Sequence, residues 1–295
     1  MLCEKFAKNL FINICAYDII LYIDIQGEIM QEKCSCVKEP IGTIPIVRII
    51  DKIDEMFEKD DTQGVKRVLE YWESEAKALN DTRGLLEILS EEIGLYRKIG
   101  EKENGLRAVD EALAILCCQG SCSSVSDATI YLNCATTMKA FGKAEDAMQY
   151  YQIAKEQYEK SLPKDDYRLA GLYNNYATAL CDLKRFDEGE KCYEKAIEIL
   201  QEKGGYGELA VSYVNLAHLV YDRANEQNKE CDEQIDELLD KAMECLDDAA
   251  LARDGNYAFI CSKCASAYGF FGRFLDKAEL ERRAKEIYDN NRKQA

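Results

Sequence analysis

From Ile46 onward, apolar and polar residues alternate with the period of amphipathic helices. Tyr173, Tyr176, Ala177 and Leu180 recur three and four positions apart, and so do Tyr193, Ala196, Ile197 and Leu200. That spacing lines one face of an α-helix. Short polar stretches separate the periodic segments. In SLPKDD, Pro163 ends one helix and Asp165 or Asp166 can cap the next. An earlier pair, Ile46 to Phe57 and Gly64 to Leu79, is split by EKDDTQ. The pattern predicts an all-α chain of paired helices.

The pairs repeat. The stretch YNNYATALCDLKRFDEGEKCYEKAIEIL from Tyr173 lies without a gap on YLNCATTMKAFGKAEDAMQYYQIAKEQY from Tyr131, an offset of 42 residues. On the same ruler Ala112, Ala154, Ala196, Ala242 and Ala284 follow one another in steps of 42, 42, 46 and 42. Within each pair an earlier small or apolar residue precedes that alanine by 19 positions, as Ile93, Ala135, Ala177 and Ala265 do. Ala217 precedes Ala242 by 25, which predicts six inserted residues, expected as a solvent loop near Arg223 to Gln234. The domain reading is an extension over 1–40 and a helical array over 41–295, with hairpins at about 44–80, 84–121, 126–162, 167–204, 207–252 and 256–291. Stacked units of this kind bury one continuous core.

Composition agrees with long helices: 47% of the 295 residues are hydrophobic, 32% are charged, and only three are proline. The net charge of −17 argues against nucleic acid, whose phosphates need clustered Lys and Arg. Phe6 to Ile25 is the only candidate targeting segment, but Asn13, Asp18 and Asp24 interrupt a run already too short to cross a bilayer. No small-residue cleavage signature follows it. Fourteen cysteines in so large a chain, without a secretory signal, point to the reducing cytoplasm.

Tyr173, Tyr176 and Ala177 in a first helix, and Gly189, Tyr193 and Ala196 in the second, resemble the tetratricopeptide repeat. LPKDDYRLAGLYNNYA is similar to the long, 42-residue form found in kinesin light chain. The resemblance implies a right-handed α-α superhelix, a solenoid of about six helical hairpins whose first helices line a concave surface. Glu92, where the family has a large apolar residue, and Cys261, where it has an aromatic, depart from the pattern.

Beside the packed stripe of each first helix runs a second, polar one. It reads Thr129, Asn133, Thr136, Ala140 in one repeat, Gly171, Asn175, Thr178, Asp182 in the next, and Val211, Asn215, His218, Asp222 in the third. Asn133, Asn175 and Asn215 therefore hold equivalent places, while Glu91 and Lys263 stand there in the flanking repeats. An amide carries both donor and acceptor, which suits an extended peptide. The family's use of first-helix asparagines towards cargo peptides implies the same role here, with Asn174 and Asn175 as the paired asparagines. The other reading is that each Asn bonds a neighbouring helix and orders the stack. The family's carboxylate clamp needs Lys and Asn where this chain has Leu132, Asn174 and Val214, and Thr136, Thr178 and His218, so the clamp is not expected.

The expected function is thus non-enzymatic: a scaffold whose concave face holds a protein or an extended peptide, with Lys or Arg set against Asp182 and Asp222. The alternative is a peptide-responsive sensor whose solenoid changes shape on binding. His218 is the single histidine and has no identifiable triad. Neither a phosphate-binding loop nor an H-E-x-x-H motif is present, and no cofactor or metal is expected. Cys261 and Cys264 form a C-x-x-C, yet the ruler sets them on Tyr173 and Tyr176, core-facing positions where cysteine serves as a small hydrophobe. Cys117, Cys118 and Cys122 cluster at a turn, and Cys34 and Cys36 lie in the extension; a zinc site across these would need distant segments to meet.

Overall fold

The computed structural model describes residues 22–23, 29–30, 39–59, 61–120 and 122–294. Most of the 1–40 extension, with Cys34 and Cys36, lies outside the described residues. The chain divides into two compact units, Met1–Phe141 and Gly142–Ala295. Apart from one antiparallel pair of two-residue strands, β1 (Tyr22–Ile23) and β2 (Ile29–Met30), all regular structure among the described residues is α-helix.

The first unit holds α1 (Ile46–Glu58), α2 (Thr62–Ala78), α3 (Thr82–Ile99), α4 (Lys102–Gln119) and α5 (Val125–Ala140). Aspartates start two of them. Asp61 accepts from the Gly64 amide at 2.8 Å, and Asp81 from the Gly84 amide at 2.9 Å, each meeting a donor the first helical turn leaves unbonded. Asp81 also accepts from the Ile44 amide at 2.8 Å and so pins the entry to α1. α3 packs on both α2 and α4, and Leu86, Leu89 and Ile93 of α3, Leu69 of α2 and Ala108 and Ala112 of α4 are all buried. Into this apolar layer comes an ionisable group: Glu92 is 0% exposed and takes a 2.7 Å bond from Arg107, which also serves Glu73.

The second unit holds α6 (Ala144–Ser161), α7 (Tyr167–Asp182), α8 (Phe186–Lys203), α9 (Tyr206–Gln227), α10 (Asp232–Asp247), α11 (Gly255–Phe270) and α12 (Phe274–Gln294). The helices pair as α7 with α8, α9 with α10 and α11 with α12, while α9 also packs on α8 and α11. Ala177, Tyr193 and Leu219 form a buried cluster that joins three successive helices. The alanines let backbones approach, and the rings of Tyr151 and Tyr193, both buried, fill the space beside them. Asp166 caps α7 through the Arg168 amide at 2.9 Å. Cys261 and Cys264 are both buried in α11.

The six inserted residues do not form a loop. α9 is 22 residues long where α7 is 16, and only Asn228 to Cys231 separate it from α10. The polar run from Arg223 continues the helix because its polar groups face solvent or earlier elements. Arg223 reaches Glu190 of α8 at 2.5 Å, and Glu226 pairs with Lys184. Polarity marked exposure, and exposure is as compatible with helix as with loop.

Candidate functional site

In the second unit α9 lies between α7 and α11, and the polar stripes of these helices form its inner face. Asn175 on α7 and Asn215 on α9 are half-buried. Neither side chain makes a hydrogen bond among the described residues; only the Asn175 carbonyl is used, accepting from Thr178 at 2.8 Å. Asp182 and Asp222, at the ends of their stripes, are exposed. His218 is half-buried, and burial pulls its pKa down while Asp222 pulls the other way.

The other asparagines behave differently. The Asn174 amide donates to Ser212 of α9 at 2.8 Å, and Ser212 in turn donates to the Glu208 carbonyl. The Asn174 carbonyl oxygen is buried with no hydrogen-bond partner. In the first unit, Asn133 on α5 donates to Ser90 of α3 at 3.0 Å, and Thr136 turns back to the Leu132 carbonyl at 2.8 Å. Asn133 and Asn174 therefore link neighbouring first helices, whereas Asn175 and Asn215 keep their amides available. Asn133 belongs to the first unit, and Asn174, Asn175 and Asn215 to the second.

Between α9 and α11 the inner face opens into a hollow of about 310 Å³, lined by Val211, Val214, Asn215 and His218 from one side and by residues of α11, Lys263 to Phe270, from the other. Sequence reading reached Asn215 and His218 and missed the α11 wall. Carrying the stripe one repeat further gives Phe259, Lys263, Ser266 and Phe270, all exposed, so the signal was present. Among the described residues no group of three or more His, Cys, Asp or Glu side chains is placed to hold a metal, and no helix is long and apolar enough to cross a membrane.

Residues 168–230, nearly all of α7 to α9 and the start of the turn that follows, match the tetratricopeptide repeat model. That stretch carries tetratricopeptide repeats. Solved structures with the same repeat architecture include the nearly identical TPR-like repeats of a putative kinesin light chain from Podosopora anserina, at 16% identity over 72% of this chain and 97% of that one, TM-score 0.51. PlcR of Bacillus thuringiensis, solved with the peptide PapR7 and DNA, has 13% identity over 68% of this chain and 69% of that one, TM-score 0.51. A Rap protein complexed with competence and sporulation factor has 14% identity over 85% and 76%, TM-score 0.50. At these identities the likeness is one of fold: an all-α tetratricopeptide solenoid. Among curated proteins none matches the chain.

Proposed function

We propose that the second unit binds an extended peptide segment along the inner face of α7, α9 and α11. The observation that carries this reading is the contrast between asparagines: Asn133 and Asn174 bond neighbouring helices, while Asn175 and Asn215, at equivalent places, leave both amide groups unbonded. An unbonded, half-buried amide in a helix interior weakens the helix without a structural return. Both groups suit the alternating N–H and C=O of an extended chain. First helices of successive hairpins touch directly, α7 on α9 and α9 on α11, so each step is about one helix spacing, roughly 8–10 Å. The face from α7 to α11 thus spans roughly 16–20 Å and holds about five or six extended residues of a longer peptide. Asp182 and Asp222, in a chain of net charge −17, favour Lys or Arg in the ligand. The solved complexes of PlcR with PapR7 and of Rap with competence and sporulation factor are peptide complexes on the same fold, which supports a scaffold acting without catalysis. Fourteen cysteines in a chain with a large helical core fit a reducing cytoplasm.

The test compares two double variants on an array of ten-residue peptides that scan basic and apolar content. Asn175→Ala with Asn215→Ala is expected to abolish peptide capture and leave the melting temperature nearly unchanged. Asn133→Ala with Asn174→Ala is expected to lower melting and retain capture, each lost bond costing about 0.5–1.5 kcal/mol. Equal capture by the first variant and the unaltered protein overturns the reading.

A further inference from the structure

The hollow between α9 and α11 has a chemistry distinct from the amides beside it. Four rings meet at one end. His218 lies 4.9 Å from Phe271 and 5.2 Å from Phe270, and Tyr221 stands edge-on to Phe270 at 5.1 Å. Phe270 and Phe271 are themselves edge-on at 5.0 Å. Despite these contacts Phe270 remains 56% exposed. Val211, Val214 and Ala267 supply the apolar lining, and Asn215 stands at its edge. At about 310 Å³ the hollow is at the lower end of the range for ligand sites, too small for a nucleotide-sized cofactor and suited to one side chain.

Charge gives the hollow a direction. Asp222 follows Tyr221 on α9 and acts on His218, so the aromatic end carries a carboxylate. Lys263, in line with Asn215 in the stripe, lies at the other end and is already engaged. A cation entering at the aromatic end meets Asp222 and the face of an exposed ring, two attractions that act together. A cation at the other end meets Lys263.

We infer that this hollow is an anchor for an apolar side chain followed by arginine, the apolar group seated among Val211, Val214 and Ala267 and the guanidinium over Phe270 towards Asp222. The inference rests on the peptide reading above and adds its sequence preference. The occupant is a basic peptide rather than a second copy of the chain, because a copy brings the same excess of acid, −17, to an already acidic face.

Four fluorescein-labelled ten-residue peptides on one Gly/Ser frame, with central Leu-Arg, Ala-Arg, Leu-Gln or Leu-Glu, test it by fluorescence anisotropy. Leu-Arg is expected to bind about tenfold tighter than Ala-Arg, several-fold tighter than Leu-Gln, and more tightly still than Leu-Glu. Phe270→Ala should weaken Leu-Arg about tenfold, and Asp222→Asn should bring Leu-Arg and Leu-Gln level, both with unchanged melting. If Ala-Arg and Leu-Arg bind alike while the Asn175 and Asn215 double variant abolishes both, the anchor is wrong and the groove stands. If none of the four binds, anchor and groove reading both fall. If sedimentation shows a dimer that Phe270→Ala dissociates, the occupant is a second copy and the anchor is overturned.

Discussion

The interiors of the two units solve the same packing problem with different chemistry. Between α2, α3 and α4 the first unit gathers three acidic side chains around one guanidinium, with Glu92 buried and the others partly exposed. Arg107 bonds Glu73 at 2.8 Å and the wholly buried Glu92 at 2.7 Å, and reaches Glu111 at 3.2 Å. Lys77 adds a second cation on Glu73 at 2.6 Å. Burial, reinforced by Glu73, raises the Glu92 pKa to about 8 against the pull of Arg107. One oxygen of Glu92 has no hydrogen-bond partner. The matching space in the second unit is closed by Ala177, Tyr193 and Leu219, with Cys181, Phe186, Cys192 and Leu216 packed against them. A repeat fold thus tolerates an ionisable group in its core where a neighbouring second helix supplies a cation, and the consequence is sensitivity to pH.

The largest expected effect comes from removing that counter-charge. Arg107→Ala removes the pull that holds the Glu92 pKa down, so its cost should grow as pH rises past 8, towards about 3–5 kcal/mol where Glu92 is forced to ionise with no cation beside it. Below that pH the cost should be smaller, since Glu92 can keep its proton. Arg223→Ala in the second unit, whose partner Glu190 is only half-buried and keeps contact with water, should cost less, about 1 kcal/mol, at either pH. Thermal unfolding of both variants at pH 6 and pH 9 checks the contrast; equal losses would erase it.

The pH dependence itself comes next. A carboxyl raised from 4.5 unfolded to about 8 folded holds its proton more tightly in the folded chain. Its contribution is fully present below about pH 4.5 and is lost as pH rises to about 8, at up to roughly 1.4 kcal/mol per unit. Glu92→Gln should flatten that slope. Hydrogen exchange should show the loss in α2 to α4 and leave α7 to α9 unchanged.

Smaller effects sharpen the comparison at matched positions. Gly105 of α4 and Gly189 of α8 occupy the same place in their repeats. A Cβ on Gly105 would stand 2.7 Å from the Phe141 ring, whereas one on Gly189 would meet nothing nearer than Leu219 at 3.2 Å. Gly105→Ala should cost about 1–3 kcal/mol and Gly189→Ala less, as read from urea unfolding midpoints. Smallest is the turn before α8. Lys184 holds φ 59° where the corresponding Gly142 and Gly272 hold 82° and 79°. Lys184→Gly should stabilise by up to about 1 kcal/mol, less whatever the Glu226 pair contributes.

The helices were legible in the sequence because periodicity is set by each segment alone: the stripe Tyr173, Ala177, Leu180 is buried as its spacing required. The division among asparagines was not legible. Whether an amide meets a serine depends on the register between helices, and nothing local distinguishes Asn174, whose side chain reaches Ser212, from Asn175, whose side chain bonds none of the described residues. Glu92 stood out as a departure, but its partner Arg107 lies on another helix, and only packing brings the two together. Phe270 was legible as the next member of the polar stripe after Ser266, whereas Phe271, one residue past the end of α11, lies outside that period.

The lengthened α9 bears on how such a chain can vary over generations. Its extra turns lie past Ala217, where Arg223 and Glu226 reach Glu190 of α8 and Lys184 before it, and α10 returns over only 16 residues. The shortfall is made up at the opposite end by Asp248 to Asp254, seven residues where Gly204 and Gly205 suffice after α8, with Arg253 bonded to the Leu246 and Asp248 carbonyls. Insertions are thereby confined to the hairpin's two ends, and the register of the middle is preserved. A lineage could lengthen or trim this hairpin one turn at a time and inherit the same inner face.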